Sequence, residues 1–251
     1  MRRKTIGILG GMGPEATAYF FQLIIGQTQA SRDQDHIPII IWNNPKIPER
    51  TAAVLGHGPS PVLLLKDGVR RLARAGADFI VIPCITAHTF LREMTAASSI
   101  PILNILNLTR DFSVNSIPGL ARAGLIASTG TVKSGLFART FAKAGVDLIA
   151  PTDDEQKKVM EAIFGERGIK AGFTSGRSRK LILEAAHGLT GRGAQAIIAG
   201  CTEVPLVLIQ KDLRIPLIEP LQIAAEAAII RAGYPVKSLT LNRAFRYKSP
   251  G

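Results

Sequence analysis

Cysteine is nearly absent from this chain: there are two in 251 residues, Cys84 and Cys201. Aromatic residues are also scarce, with one Trp, three Tyr and ten Phe. That leaves little material for the stacking platforms that grip single-stranded nucleic acid. No apolar run approaches the roughly 18 residues needed to cross a bilayer. The opening Met1-Arg2-Arg3-Lys4-Thr5-Ile6-Gly7-Ile8-Leu9 imitates a signal peptide. Its apolar part is too short, however, and it runs into Gly10-Gly11-Met12-Gly13-Pro14 with no suitable cleavage site. The expectation is a cytoplasmic protein with no membrane partner, in which the two cysteines stay reduced. Acidic residues are outnumbered, 19 against 31 basic, for a net charge of +12. The basic residues are scattered and never interleave with aromatics, so nucleic acid is not an expected partner. A basic surface that draws in small anions is the economical reading.

What is present in quantity is apolar: 46% of the residues, enough for packed cores. Short β-rich runs alternate with helical patterns. Strands are expected at 5–9, 38–42, 79–83, 100–104, 123–127, 146–150, 196–199 and 216–218. Helices are expected near 14–29, 60–75, 86–97, 132–143, 153–165, 176–191, 204–210 and 220–233. Such alternation predicts parallel sheets covered by helices on both faces. Pro14 suits a helix start, and Gly76, Gly145 and Gly233 suit helix ends.

The pattern runs twice. Gly7 in Ile6-Gly7-Ile8-Leu9 corresponds to Gly124 in Ala123-Gly124-Leu125-Ile126, and 84 − 7 and 201 − 124 both give 77. The two cysteine segments each open with Gly-Ala, at Gly76 and Gly193, and reach Cys eight residues after that Gly. Ile100-Pro101-Ile102 and Ile215-Pro216-Leu217 follow at +16 and +14 from their cysteines. We therefore expect an α/β protein of two similar three-layer halves with mainly parallel sheets, related by a pseudo-twofold duplication. The halves are expected at 1–106 with 219–251, and at 107–218. Ligands of open parallel sheets bind beyond the carboxyl ends of the strands. Two such halves facing each other would put both thiols in one cleft.

A thiol on each side of one carbon suits removing a proton from one face and returning it to the other. Only a few per cent of an ordinary thiol is thiolate at neutral pH, and a helix N-terminus raises that fraction. Ile85-Thr86-Ala87-His88 and Thr202-Glu203-Val204-Pro205 both look like helix beginnings. Thr86 and Thr202 offer donors to a carboxylate, or are simply helix caps. Glu203 and His88 tune or orient the thiols, or are respectively a helix-dipole complement and a packed core residue. No metal-ligand spacing is present. Ser128-Thr129-Gly130-Thr131 and its counterpart Gly10-Gly11-Met12-Gly13 would hold an anion, or are plain strand–helix turns. Gly11-Met12-Gly13-Pro14-Glu15-Ala16 fits a dinucleotide-binding pattern, but Asn43-Asn44-Pro45 stands where the ribose-binding acid belongs.

Together these motifs resemble the cofactor-independent aspartate racemases of the aspartate/glutamate racemase superfamily, from Gly7 to about Gly233. The resemblance rests on Gly7 to Pro14, on Asn43-Asn44-Pro45-Lys46-Ile47-Pro48-Glu49-Arg50, and on Pro83-Cys84 with Thr86-Ala87-His88. It extends to Thr131-Val132-Lys133-Ser134-Gly135 and Ala199-Gly200-Cys201-Thr202-Glu203. It implies that Cys84 and Cys201 are the catalytic pair, that no pyridoxal phosphate or other cofactor is used, and that the protein is a homodimer. It implies substrate contacts from Met12, Arg50, Ile85, Thr86, Ser128, Thr131, Lys170, Thr202 and Glu203. Arg50 and Lys170 would bind the distal carboxylate of a small dicarboxylic amino acid, a task that Arg performs bidentately. One position departs from the family's Pro-Cys-Asn-Thr-Ala-His: Ile85 replaces the Asn and removes an amide from the site. Aspartate racemisation is the expectation. Racemisation of another substrate (glutamate, a broad range of amino acids, hydantoin), maleate isomerisation, or weak small-anion binding are the alternatives. The basic segment 234–251 reads as a loose tail or as a dimer-docking segment.

Overall fold

A computed structural model describes residues 2–237. The chain forms two compact units. One runs over Met1–Leu108 and resumes at Leu221; the other is Thr109–Pro220.

The first unit opens with strand β1 (Ile6–Gly10), helix α1 (Pro14–Gln27), strand β2 (Ile39–Asn43) and helices α2 (Arg50–Val54) and α3 (Val62–Arg74). Strand β3 (Phe79–Val81), a 3-10 turn (Thr86–Phe90) and helix α4 (Leu91–Ala97) follow, then helix α5 (Ile105–Ser116). The strands pair in parallel in the order β2-β1-β3. Every residue of β1 and β3 is buried, as expected for parallel strands covered on both faces. Helix α3 buries Leu65, Gly68, Val69 and Leu72, one stripe at helical spacing. A Cβ on Gly68 would come within 2.5 Å of Leu9, so the missing side chain lets the helix lie close to the sheet.

The second unit runs β4 (Arg122–Ile126), α6 (Thr129–Ser134), α7 (Leu136–Ala142), β5 (Asp147–Ile149) and α8 (Asp153–Phe164). A 3-10 turn (Ile169–Ala171), α9 (Arg177–Gly191) and β6 (Ile197–Ala199) come next, then 3-10 turns at Val204–Leu206 and Gln210–Asp212 and strand β7 (Leu217–Ile218). Its sheet is also parallel, in the order β5-β4-β6-β7. Thr152 caps α8 in a reciprocal capping box with Glu155. The last helix, α10 (Pro220–Ala232), returns the chain to the first unit. There the Lys4 N–H donates to Ala232 O at 3.0 Å, and Thr28 forms an antiparallel bridge with Val236.

The two sheets repeat one another in register. Gly7 lies opposite Ile80 and Gly124 opposite Ile197. Each cysteine comes four residues after that partner, since 84 − 80 and 201 − 197 are both 4. A Cβ on Gly7 would meet Ala77 Cβ at 2.9 Å, and one on Gly124 would meet Ile197 and Leu189 at the same distance. In both halves, therefore, the glycine lets the first strand press against the element that carries the thiol. Ile80 N–H donates to Pro101 O at 2.8 Å, and Ile197 N–H to Pro216 O at 2.9 Å.

Four expected elements differ. Residues 100–104 form only a bridge at Ile102, not a strand; Pro101 has no N–H to extend the ladder. The helix expected at 132–143 begins at Thr129 and is divided by Gly135, whose φ of 64° ends α6 in a left-handed turn. The helix expected at 204–210 is reduced to two 3-10 turns, and the one at 86–97 opens as a 3-10 turn before α4. The boundary expected between 106 and 107 falls inside a helix that the sequence pattern did not show, α5 at Ile105–Ser116. The basic segment from residue 238 onward lies outside the described residues.

Candidate active site

Each thiol follows the carboxyl end of the strand that pairs with the first strand of its sheet, β3 beside β1 and β6 beside β4. Cys84 lies three residues beyond Val81, and Cys201 two beyond Ala199. Both are free cysteines, Cys84 buried and Cys201 partly buried.

In the first unit, Cys84 packs in the apolar cluster that also holds Met12, Ile47, Leu65, Ala87 and Met94. Ile85 beside it is 3% exposed, and Thr86 is half-buried at the start of the 3-10 turn. His88 does not reach for the thiol. Its Nδ1 lies 3.0 Å from the Cys84 carbonyl, and its Nε2 lies 3.4 Å from the Ile105 N–H. Nδ1 must carry the proton to satisfy both. Burial holds the imidazole below its ordinary value of 6.5, against backbone hydrogen bonds at Cys84, Leu103 and Ile85 that pull the other way. His88 is thus a neutral brace between the Cys84 backbone and the start of α5.

Arg50, the first residue of α2, is aimed at the main chain. Its Nη1 donates to Ile47 O and Pro48 O at 3.1 and 2.9 Å, and its Nη2 to Met12 O at 3.1 Å. It makes no ion pair among the described residues, and its buried Nε has no hydrogen-bond partner. The Gly-rich turn carrying Met12 is closed on itself. Gly11 N–H donates to the Thr17 hydroxyl, which donates to Gly13 O, both at 2.9 Å. Gly11 has φ of 91°, and a Cβ there would strike the Asn44 backbone at 2.3 Å, so the turn requires glycine. Its Gly11 N–H is already committed, which weakens the expectation of an anion cradle.

In the second unit, four of the expected residues come together. The Cys201 thiol donates to Glu203 Oε2 at 2.9 Å, and the Thr202 hydroxyl donates to the same oxygen at 3.0 Å. The Lys170 ammonium donates to Glu203 Oε1. The Glu203 side chain is 4% exposed and that of Lys170 26%. A carboxylate so buried needs its charge compensated, and Lys170 does this. Lys170 also lies 5.4 Å from the Phe164 ring centre. Burial pushes the Cys201 thiol well above its ordinary value and the Glu203 charge adds to this, while Lys170 acts in the opposite direction. Ser128 and Thr131 are both buried and bond each other. The Ser128 hydroxyl accepts from Thr131 N–H at 3.3 Å and lies 3.2 Å from its Oγ1. Ser128 thereby caps α6, the plainer of the two readings of that turn.

Two supporting residues carried no sequence signal. Gln156 on α8 donates to Ala127 O and the Thr129 hydroxyl at 3.0 and 3.2 Å, fixing the turn after β4. Arg179 on α9 grips Asp212 through both terminal nitrogens, at 3.0 and 2.6 Å, and also bonds Val207 O. It ties down the segment that follows Cys201. Neither partnership can be read from spacing, because each joins elements more than 25 residues apart.

A family model for Asp/Glu/Hydantoin racemases matches residues 9–228. The chain belongs to the Asp/Glu/hydantoin racemase family. Members of that family are racemases, so the chain is an isomerase of the amino-acid racemase type. The broad specificity amino-acid racemase RacX of Bacillus subtilis is 28% identical over 229 residues, covering 89% of this chain and 96% of that protein. The structure of the Picrophilus torridus aspartate racemase superposes with a TM-score of 0.83 at 30% identity, covering 94% of this chain and 96% of that one. The Francisella tularensis glutamate racemase, solved with D-glutamate, shares the fold at 18% identity. Its TM-score is 0.66, covering 93% of this chain and 83% of that one. The racemase neighbours bear out the α/β architecture with duplicated halves. Among the described residues no helix of this racemase-family chain is long and apolar enough to cross a membrane. No group of three or more His, Cys, Asp or Glu there is placed to hold a metal ion.

Proposed function

We propose that the chain racemises aspartate with Cys84 and Cys201 as the two acid–base groups, without pyridoxal phosphate. One thiolate takes the α-proton, leaving the electron pair on the α-carbon, and the opposite thiol returns a proton to the other face. The observation that carries the reading is the repeat of a free thiol at the same register position in both sheets, within a family of racemases. The enzyme would work in the cytoplasm as a homodimer. Arg50, a cation without an ion pair among the described residues, would bind the distal carboxylate. Met12, Thr86, Ser128, Thr131 and Thr202 would line the α-amino and α-carboxylate groups.

One observation favours a second reading with a broader substrate range. Lys170, the other expected cation, is already neutralised by Glu203, and Ile85 adds apolar bulk. The named relatives span both ranges, an aspartate racemase and a broad-specificity enzyme. The pure protein, incubated in heavy water with a panel of L-amino acids and no cofactor, should place deuterium at the α-carbon of aspartate fastest. Arg50→Ala should raise KM for aspartate about tenfold or more, the loss expected for one charged hydrogen-bonded pair. Faster exchange into neutral or basic amino acids would replace aspartate with the broader reading. No exchange into any amino acid would remove both.

A further inference from the structure

We infer that Glu203 is a positioning residue that keeps the Cys201 thiol protonated at rest, so that Cys201 enters the reaction as the proton donor and Cys84 as the base, with Lys170 setting how firmly that proton is held. The inference rests on the two-thiol reading above.

Three geometric facts carry it. The thiol points its proton at a carboxylate oxygen 2.9 Å away. That carboxylate is almost fully buried, so little solvent screens it. The first half has no equivalent: shifting by 201 − 84 = 117 places Thr86 where the second half has Glu203, and Ile85 where it has Thr202. A carboxylate beside a thiol opposes ionisation, because thiolate and carboxylate would then face each other at hydrogen-bond distance. The charged groups that bear on Cys201 are Glu203 on its own turn and Lys170 on the turn before α9. They push in opposite directions.

The proton balance follows. The Cys84 thiolate forms an S–H bond as the Cα–H bond breaks, and Cys201 releases its proton to the opposite face of the carbanion. The turn then holds a Cys201 thiolate beside the Glu203 carboxylate, partly compensated by Lys170. Before the next turnover in the same direction, Cys201 takes up a proton from solvent and Cys84 gives one up. Nothing is oxidised or reduced.

Cys84→Ser leaves Cys201 as the sole cysteine of the chain. In that background the rate of alkylation by iodoacetamide is followed against pH, with melting curves as a check on folding. Glu203→Gln should move the midpoint down by a unit or more, so that alkylation at pH 7.5 rises about tenfold. Glu203→Asp should bring it back toward the background. Lys170→Met should move the midpoint up and slow alkylation several-fold. Unfolding speeds alkylation, so a slower Lys170→Met cannot come from a damaged fold. In the two-cysteine enzyme, Glu203→Gln should move the alkaline limb of kcat/KM to lower pH in the direction that needs Cys201 as acid. An unmoved or raised midpoint in Glu203→Gln, or a faster Lys170→Met, overturns the inference alone, because alkylation involves no substrate. Absence of turnover in the unaltered protein overturns the donor assignment together with the two-thiol reading.

Discussion

The two halves agree in scaffold and differ in what surrounds the thiol. Their sheets share the order of three strands, β2-β1-β3 against β5-β4-β6, a glycine on the first strand pressed against its neighbours, and the same four-residue step to cysteine; the second adds β7. Beyond that step the first half is neutral, with Ile85, Thr86 and an uncharged His88 bonded to backbone. The second is charged, with Glu203 and Lys170 bonded around Cys201. Even the two cations follow this division. Both stand between the second strand of a half and the helix that leads into its cysteine strand, but Arg50 rests on carbonyl oxygens and Lys170, which comes after α8, on a carboxylate. A duplicated frame thus carries unequal chemistry: only the second half sets charged side chains against its thiol.

The sharpest way to break the comparison is to remove one thiol at a time. Cys84→Ser and Cys201→Ser should each lower racemisation by about a hundredfold or more, measured by circular dichroism of the substrate and by α-deuterium incorporation. Full activity in either variant would mean that the halves do not share the chemistry.

Next in size is the brace that only the first half has. His88→Ala strips the ring from the Cys84 carbonyl and the Ile105 N–H, at a cost of about 1–3 kcal/mol in urea unfolding. The same variant should flatten the pH dependence. The native imidazole resists protonation, so the unfolded chain binds more protons below pH 6.5. The unaltered protein should therefore lose stability as pH falls through 6.5, and the variant should lose less. Equal slopes would mean that His88 is not buried and neutral.

The smallest effect concerns the second half's additional long helix, α8. Arg192 holds the Glu155 carboxyl down to about 2 from 4.5, with help from the Thr152 cap. Glu155→Gln should cost under about 1 kcal/mol at pH 7, since the pair is partly exposed. A depressed carboxyl stabilises above its unfolded value, so the gap should close as pH falls from 4.5 toward 2. A gap that persists at pH 2 would assign the effect to packing.

The sequence made the repeat legible because strands, prolines and cysteines recur at fixed distances. It hid α5 for a physical reason. That helix buries Thr109, Ser113 and Ser116 together with Ile105, Leu106 and Phe112, so its inward face is half polar and shows no apolar stripe. Asn, Ser, Thr and Val are also poor helix formers. The helix expected after Cys201 failed because Pro205 and β-branched neighbours disfavour a longer helix, leaving short 3-10 turns. At the candidate site, the residue types around each cysteine were readable. The Lys170–Glu203 bond was not, because its partners lie 33 residues apart in sequence.

The return of α10 to the first unit has a consequence for biosynthesis. The second unit is one unbroken stretch, Thr109–Pro220, whereas the first waits for the chain beyond Leu221. Ala232 and Pro235 supply carbonyls that Lys4 and Gln29 bind. A ribosome delivers the amino end first, yet the unit built around it is the last to have all of its parts. The half bearing Cys201 can close while the half bearing Cys84 still lacks its final helix.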